Sequence, residues 1–247
     1  MRVGVFDSGV GGLSVVKSLL EYKLFNEIIY LGDTARVPYG TKDKNTIIRY
    51  SLEALEFFKN FDIDMMITAC NSVSAYAIEE LRQNALFDIV GVIEPGVRAL
   101  INRVDNKNAK ILIIATKATI LSKKYQTYLH KQGYTNTISK ATPLFVPLVE
   151  EGIFEGKILE ETMRYYFHDI CEPDICIMGC THFPLIKKEL QKFYPNTLFI
   201  HSGEAIVEYL EDKFSLTGDF SKTDLKLFAT ENPDYLKQVA NNWLTHN

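Results

Sequence analysis

The chain has 247 residues, 47% of them apolar and 23% charged, with a formal net charge of −4. That is the composition of an ordinary globular protein, and its slight acidity gives no electrostatic case for nucleic acid or an anionic membrane surface. No apolar stretch reaches the length of a bilayer span. The N-terminus enters a strand directly, with no basic segment and apolar core ahead of a cleavage site, so the cytoplasm is the expected setting. Four cysteines in a chain this long fit free thiols in a reducing compartment better than a secreted disulfide framework.

Strand-like runs alternate with helix-like stretches, the pattern of a mostly parallel sheet. Strands are predicted at 2–6, 27–31, 64–68, 89–92, 110–114, 144–146, 174–178 and 197–200. Helices are predicted at 13–20, 45–60, 74–83, 96–102, 122–132, 157–170, 184–193 and 203–211. In the second of these, Ile48, Leu52, Leu55 and Phe58 recur at helical spacing. Asn106-Lys107-Asn108 reads as a polar turn between two halves. The tail joins a strand-like Leu225-Lys226-Leu227-Phe228 to a helix carrying Tyr235, Leu236, Val239 and Trp243, and is expected to pack back on the first half. The expected fold class is α/β. Two pseudo-symmetric lobes, 1–95 with 208–247 and 96–207, each hold a mostly parallel sheet flanked by helices, with the site in the cleft between them.

The pseudo-symmetry rests on landmarks that recur about 110 residues apart. Cys70 follows the apolar run ending at Ile67, and Cys180 follows the one ending at Met178. Asp7-Ser8 ends the first strand as Ala115-Thr116 ends a later one. Val37-Pro38-Tyr39 is matched by Val146-Pro147-Leu148, and Val90 to Glu94 by Leu198 to His201. Strand spacing common to all α/β lobes could produce one such match; four in one order point to related halves.

The two cysteines carry the chemistry. Each falls at the C-terminal end of a predicted buried strand and before a predicted helix, the sheet edge where open α/β proteins bind ligands. A helix start is expected to favour the reactive thiolate. Two thiols on opposite sides of one carbon can remove a proton from one face and return one to the other. Asn71, Ser72, Thr181 and His182 follow the cysteines and offer side-chain and backbone donors for carboxylates. Cys171 and Cys176 lack this setting, and Cys176 lies inside a strand. A disulfide remains a competing reading, although spacing proves no contact. A zinc site from Cys171, Cys176, Cys180 and His182 is another, although no C-x-x-C pair is present and alternating strand residues face opposite ways.

The other candidates are less specific. Asp7-Ser8-Gly9-Val10-Gly11-Gly12 runs from a strand into a glycine-rich loop suited to an anion, without the spacing of a nucleotide loop. Asp7 is equally readable as a helix cap. Gly32 to Gly40 forms a turn from which Tyr39 can cover a pocket. Glu150, expected at the mouth of a strand, pairs plausibly with His182 beside Cys180; Glu151 is its rival.

Together, Val5 to Gly12, Asp33 to Gly40, Ala69-Cys70-Asn71-Ser72 and Gly179-Cys180-Thr181-His182-Phe183-Pro184 resemble the cofactor-independent aspartate/glutamate racemase family. The resemblance covers most of the chain and is loose from about Lys213 onward. It implies reversible interconversion of L- and D-glutamate for peptidoglycan synthesis, without cofactor or metal. No lysine lies in these four motifs to form a pyridoxal Schiff base. It further implies Cys70 and Cys180 as the proton donor/acceptors, the first serving the D and the second the L enantiomer. Asp7 and His182 are the assisting groups, with Glu150 as the partner of His182. Ser8, Tyr39, Gly40, Asn71, Ser72 and Thr181 match substrate-binding positions, and Thr116 and Thr119 fall on a threonine-bearing loop near the substrate. Ser72 departs from the threonine many members carry and retains the hydroxyl. A homodimer is the expected assembly. An aspartate racemase of the same superfamily, or a non-catalytic anion-binding α/β module, is the alternative.

Overall fold

The computed structural model describes residues 1–218 and 220–245. The first half runs β1 (Arg2–Asp7), α1 (Leu13–Glu21), β2 (Glu27–Gly32), a 3-10 turn Tyr39–Thr41, α2 (Lys44–Phe58), β3 (Met65–Thr68), α3 (Asn71–Tyr76), α4 (Ile78–Asn84), β4 (Asp88–Gly91) and α5 (Ile93–Arg103). The second runs β5 (Ile111–Ala115), α6 (Lys117–Ser122), α7 (Lys124–Lys131), β6 (Thr137–Ala141), α8 (Phe145–Glu150), α9 (Lys157–Phe167), β7 (Ile175–Gly179), a 3-10 turn Phe183–Ile186, α10 (Lys187–Phe193), β8 (Leu198–His201) and α11 (Ser202–Phe214). The tail adds β9 (Asp224–Ala229) and α12 (Pro233–Thr245).

Both sheets are wholly parallel. Their orders are β4-β3-β1-β2-β9 and β6-β5-β7-β8. Without β9, the second order repeats the first strand for strand, which is the pseudo-symmetry the spacing predicts. The central strands β1, β3, β5 and β7 bury nearly every side chain because helices cover both sheet faces. The expected turn between halves forms at Asn106, whose carbonyl and side-chain oxygens accept the amides of Ala109 and Asn108.

Two predicted elements need correction. Residues 144–146 are not a strand: Phe145–Glu150 is helical, and the strand is Thr137–Ala141. Phe145, Val146 and Val149 bury one helical face, and Pro147 sits in the first turn, where no amide donor is needed. β6 is an edge strand whose residues are all half-buried, so it carries no apolar run. Glu150 consequently ends a helix and does not mark a strand mouth. The Val37-Pro38 and Val146-Pro147 landmarks accordingly differ locally, the first being a cis peptide before a 3-10 turn and the second lying within α8.

The helices that close each half are exchanged. α5 leaves the first sheet and buries Ile93, Val97 and Leu100 against Ile111, Ile113 and Ile177 of the second. α11 leaves the second sheet and buries Ile206, Val207 and Leu210 against Val3, Val5 and Leu19 of the first half. Leu236, Val239 and Ala240 of α12 join that same first cluster. β9 extends the first sheet beyond β2, and Thr230 just after it donates its hydroxyl to Asp33 Oδ1 at 2.8 Å.

Candidate active site

The C-terminal ends of the two sheets meet across a cleft. Cys70 caps α3 in extended conformation one residue beyond β3, and Cys180 directly follows β7. Both line one cavity of about 30 Å³. Its first-half walls are Ser8, Val37, Pro38, Tyr39, Gly40, Asn71 and Ser72, and its second-half walls are Thr116, Val146, Glu150, Thr181 and His182. Of the residues expected at the site, Asp7 and Thr119 stand one layer behind this wall. Asp7 accepts the Gly9 amide at 3.0 Å and the Thr181 hydroxyl at 3.4 Å. Thr119 is 3.1 Å from the Thr116 hydroxyl and 3.4 Å from that of Ser72. Glu150, and not Glu151, is the carboxylate that reaches His182, at 3.1 Å from Nε2.

The thiols have different surroundings. The Cys180 sulfur lies 3.7 Å from His182 Nδ1. Burial lowers the affinity of the imidazole for its proton, but Cys180 and Glu150 outweigh it and raise the His182 pKa to about 10. His182 is therefore an imidazolium near neutral pH, donating to both partners. Cys70 donates to Ser8 Oγ at 3.5 Å. Burial and the nearby Asp7 carboxylate push its pKa up to about 12, although the Ser8 hydroxyl and the Val73 amide oppose them. At Cys70, desolvation and the Asp7 charge work against the thiolate that a helix start is expected to favour. Burial also raises the Asp7 pKa, against the His182 charge, the Gly9 and Gly12 amides and the Thr181 hydroxyl.

Hydrogen bonds cross the cleft at several points. Ser14 Oγ donates to the Thr181 carbonyl at 2.8 Å, and the Ser72 and Thr116 hydroxyls are 3.0 Å apart. Tyr39 donates to Asp33 Oδ2, which also accepts Arg36 Nε at 2.7 Å. This network ties the cavity-facing tyrosine to the end of β2.

The remaining cysteines stand apart from the cavity. Cys171 is exposed and Cys176 is buried in the core of the second half, and all four thiols are free. These positions do not gather the four donors of the zinc reading. No group of three or more His, Cys, Asp or Glu side chains among the described residues is placed to hold a metal.

Three contributors escape sequence reasoning. Val37, before the 3-10 turn, and Val146, in α8, line the cavity and are visible in sequence only as matched landmarks. Trp243 of α12 sets its ring edge-on to His182, with centroids 6.4 Å apart. It also packs on the cores of both halves. A larger groove of about 1000 Å³ lies outside, lined in part by Lys17, Glu204 and Trp243, and shares Glu150 with the cavity. Cys70 and Cys180 line the smaller space.

Two thiols, one from each of two duplicated parallel sheets, thus line one small cavity. The chain belongs to the Asp/Glu/Hydantoin racemase family, whose model matches residues 15–210. A glutamate racemase of a Nitratiruptor species is 63% identical, over 99% of this chain and 96% of that protein. The crystal structure of glutamate racemase from Campylobacter jejuni superimposes with a TM-score of 0.98 at 56% identity, covering 99% of this chain and 98% of that one. A Francisella tularensis glutamate racemase solved with D-glutamate superimposes at 0.86 and 32% identity, covering 100% of this chain and 94% of the other.

Proposed function

We propose that this protein interconverts L- and D-glutamate by proton transfer at the α-carbon, with Cys70 and Cys180 as the two acid–base groups. The observation that carries this reading is that both sulfur-bearing side chains line one small cavity from opposite sheets. The glutamate racemases to which the chain is similar supply the substrate and weigh against the aspartate alternative.

In the L to D direction the Cys180 thiolate removes the Cα proton. An S–H bond forms, the C–H bond breaks, and the electron pair stays on carbon and its carboxylate. The Cys70 thiol gives its proton to the opposite face and becomes the thiolate. The reverse direction exchanges the two roles. His182, held by Glu150, stabilises the Cys180 thiolate, and Asp7 assists Cys70. Asn71, Ser72, Thr116 and Thr181 supply donors for substrate carboxylates as negative charge develops. Ser8, Tyr39 and Gly40 complete the binding wall, with Thr119 supporting the hydroxyls of Ser72 and Thr116. The cavity of about 30 Å³ has room for little water, so a closed cleft strengthens the sulfur base.

The reaction uses no cofactor, and its D-glutamate serves peptidoglycan synthesis. Four free thiols favour a cytoplasmic setting, and no helix among the described residues is long and apolar enough to cross a membrane. The homodimer expected from the family resemblance is checked by light scattering of the purified protein.

The test is incubation with L-glutamate in heavy water without pyridoxal phosphate, followed by circular dichroism and mass spectrometry. Decay of the optical signal with one deuterium at Cα of the product is expected. No decay, or product retaining its original Cα hydrogen, sinks the reading; faster turnover of L-aspartate shifts it to the alternative substrate.

A further inference from the structure

Tyr125, near the start of α7, is 2% exposed and touches the neighbourhood of both cysteines. Its hydroxyl accepts a hydrogen bond from Asn71 Nδ2 at 2.8 Å, and Asn71 directly follows Cys70. Its ring lies against Gly179, which directly precedes Cys180: a Cβ on Gly179 would meet Tyr125 Cε2 at 3.1 Å. The opposite ring edge faces Gly96 of α5, where an added Cβ would lie 3.5 Å from Cε1 and the hydroxyl oxygen. A larger residue at Gly179 would crowd the ring from its seat. The far end of the Asn71 amide is also held from the second half, since Ser202 Oγ at the start of α11 donates to Asn71 Oδ1 at 3.5 Å.

Asn71 lines the cavity. A primary amide has two N–H donors; the tyrosine takes one and orients the other. A phenol ring turns about only two torsions and is enclosed here, so it makes a stiff spacer.

We propose that Tyr125 is a positioning residue for racemisation, its hydroxyl fixing the Asn71 amide and its ring fixing the approach of Gly179, so that one side chain sets the span between the two cysteine turns. This rests on the two-thiol reading above. Tyr125 itself does not line the cavity, so it acts through Asn71 and through the backbone before Cys180.

The experiment is a double-mutant cycle on the full-length protein, read as kcat/KM for glutamate racemisation together with thermal melts. Tyr125→Phe keeps the ring and removes the hydroxyl. It is expected to lower kcat/KM about tenfold, the scale of one hydrogen bond. In the Asn71→Ala background the same change is expected to cost less than about twofold, because residues acting as one unit are not additive. Unchanged kcat/KM in Tyr125→Phe overturns the proposal. So does an equal loss in the Asn71→Ala background, which makes Tyr125 a core residue only. If Tyr125→Phe does not fold, Ser202→Ala replaces it, since it frees the other end of the same amide; additivity with Asn71→Ala then overturns the proposal. Cys70→Ser is run alongside: if it retains turnover, the two-thiol reading falls, whatever the cycle gives.

Discussion

Gly11 in the first half lies directly beneath His182 in the second. A Cβ built on Gly11 would come within 2.6 Å of both Nδ1 and Cε1 of that imidazole. The same added carbon would also collide with the Thr181 hydroxyl. Gly11 in the loop after β1 therefore leaves room for Thr181 and His182 of the second half to close on it. Gly11→Ala should push His182 away from Cys180 or hold the cleft ajar. The expected result is a fall in kcat/KM of roughly 100-fold, as ångström-scale misplacement produces, with a folded protein by circular dichroism. Wild-type turnover would mean that the imidazole tolerates the shift.

Cys70→Ser and Cys180→Ser each replace a polarisable sulfur acid–base group with an alcohol too weakly acidic to take its part. Each should lower racemisation by roughly 10²–10⁴-fold, with melting temperatures close to the parent. Steady-state polarimetry with both enantiomers provides the check, and near-normal rates in either variant refute the assignment.

The His182 pKa is about 10 in the folded protein against 6.5 for the free side chain. Between those values the folded state binds one more proton than the unfolded chain. The contribution to stability is thus fully present below about pH 6.5 and is lost as pH rises towards 10. Glu150→Gln removes one cause of that elevation. The alkaline limb of the kcat/KM profile should move to lower pH in the variant, and urea midpoints should lose part of their decline over the same window. An alkaline limb that stays in place shows that His182 does not govern it.

Asp33 has three side-chain partners: Tyr39, Arg36 and Thr230. Asp33→Ala strands the hydroxyl of Tyr39, whose residue is 1% exposed. Leaving one buried polar group unmet costs about 1–3 kcal/mol, readable as a lower urea midpoint. Because Tyr39 faces the cavity, KM should rise in parallel. A stability loss without any change in KM would assign the network to folding alone.

The buried parallel strands are legible in the sequence because both faces are covered, which leaves continuous apolar runs such as Ile111 to Ala115. β6 is not, since Thr137 to Ala141 are all half-exposed at a sheet edge. The apolar stretch that follows it imitates a strand and is a helix. Most polar members of the cavity wall are legible for a topological reason: Ser8, Asn71, Ser72, Thr116, Thr181 and His182 sit within a few residues of strand ends, where short motifs can be read. Val37 and Val146 carry no chemical signal, while Trp243 and Tyr125 arrive from elements remote in the chain. Only packing brings those four to the cleft. The raised pKa of the Cys70 thiol is likewise a product of folding, because it depends on how deeply Cys70 and Asp7 are buried together.

The exchange of α5 and α11 means that neither sheet is fully covered by its own half. A polypeptide ending after β4 would lack the α11 side chains that seal its interior, and one beginning at β5 would lack those of α5. Each half is completed only by a strap from the other, so the halves should melt together in one transition and separate fragments should need each other to fold. The same two straps tie together the halves that carry Cys70 and Cys180.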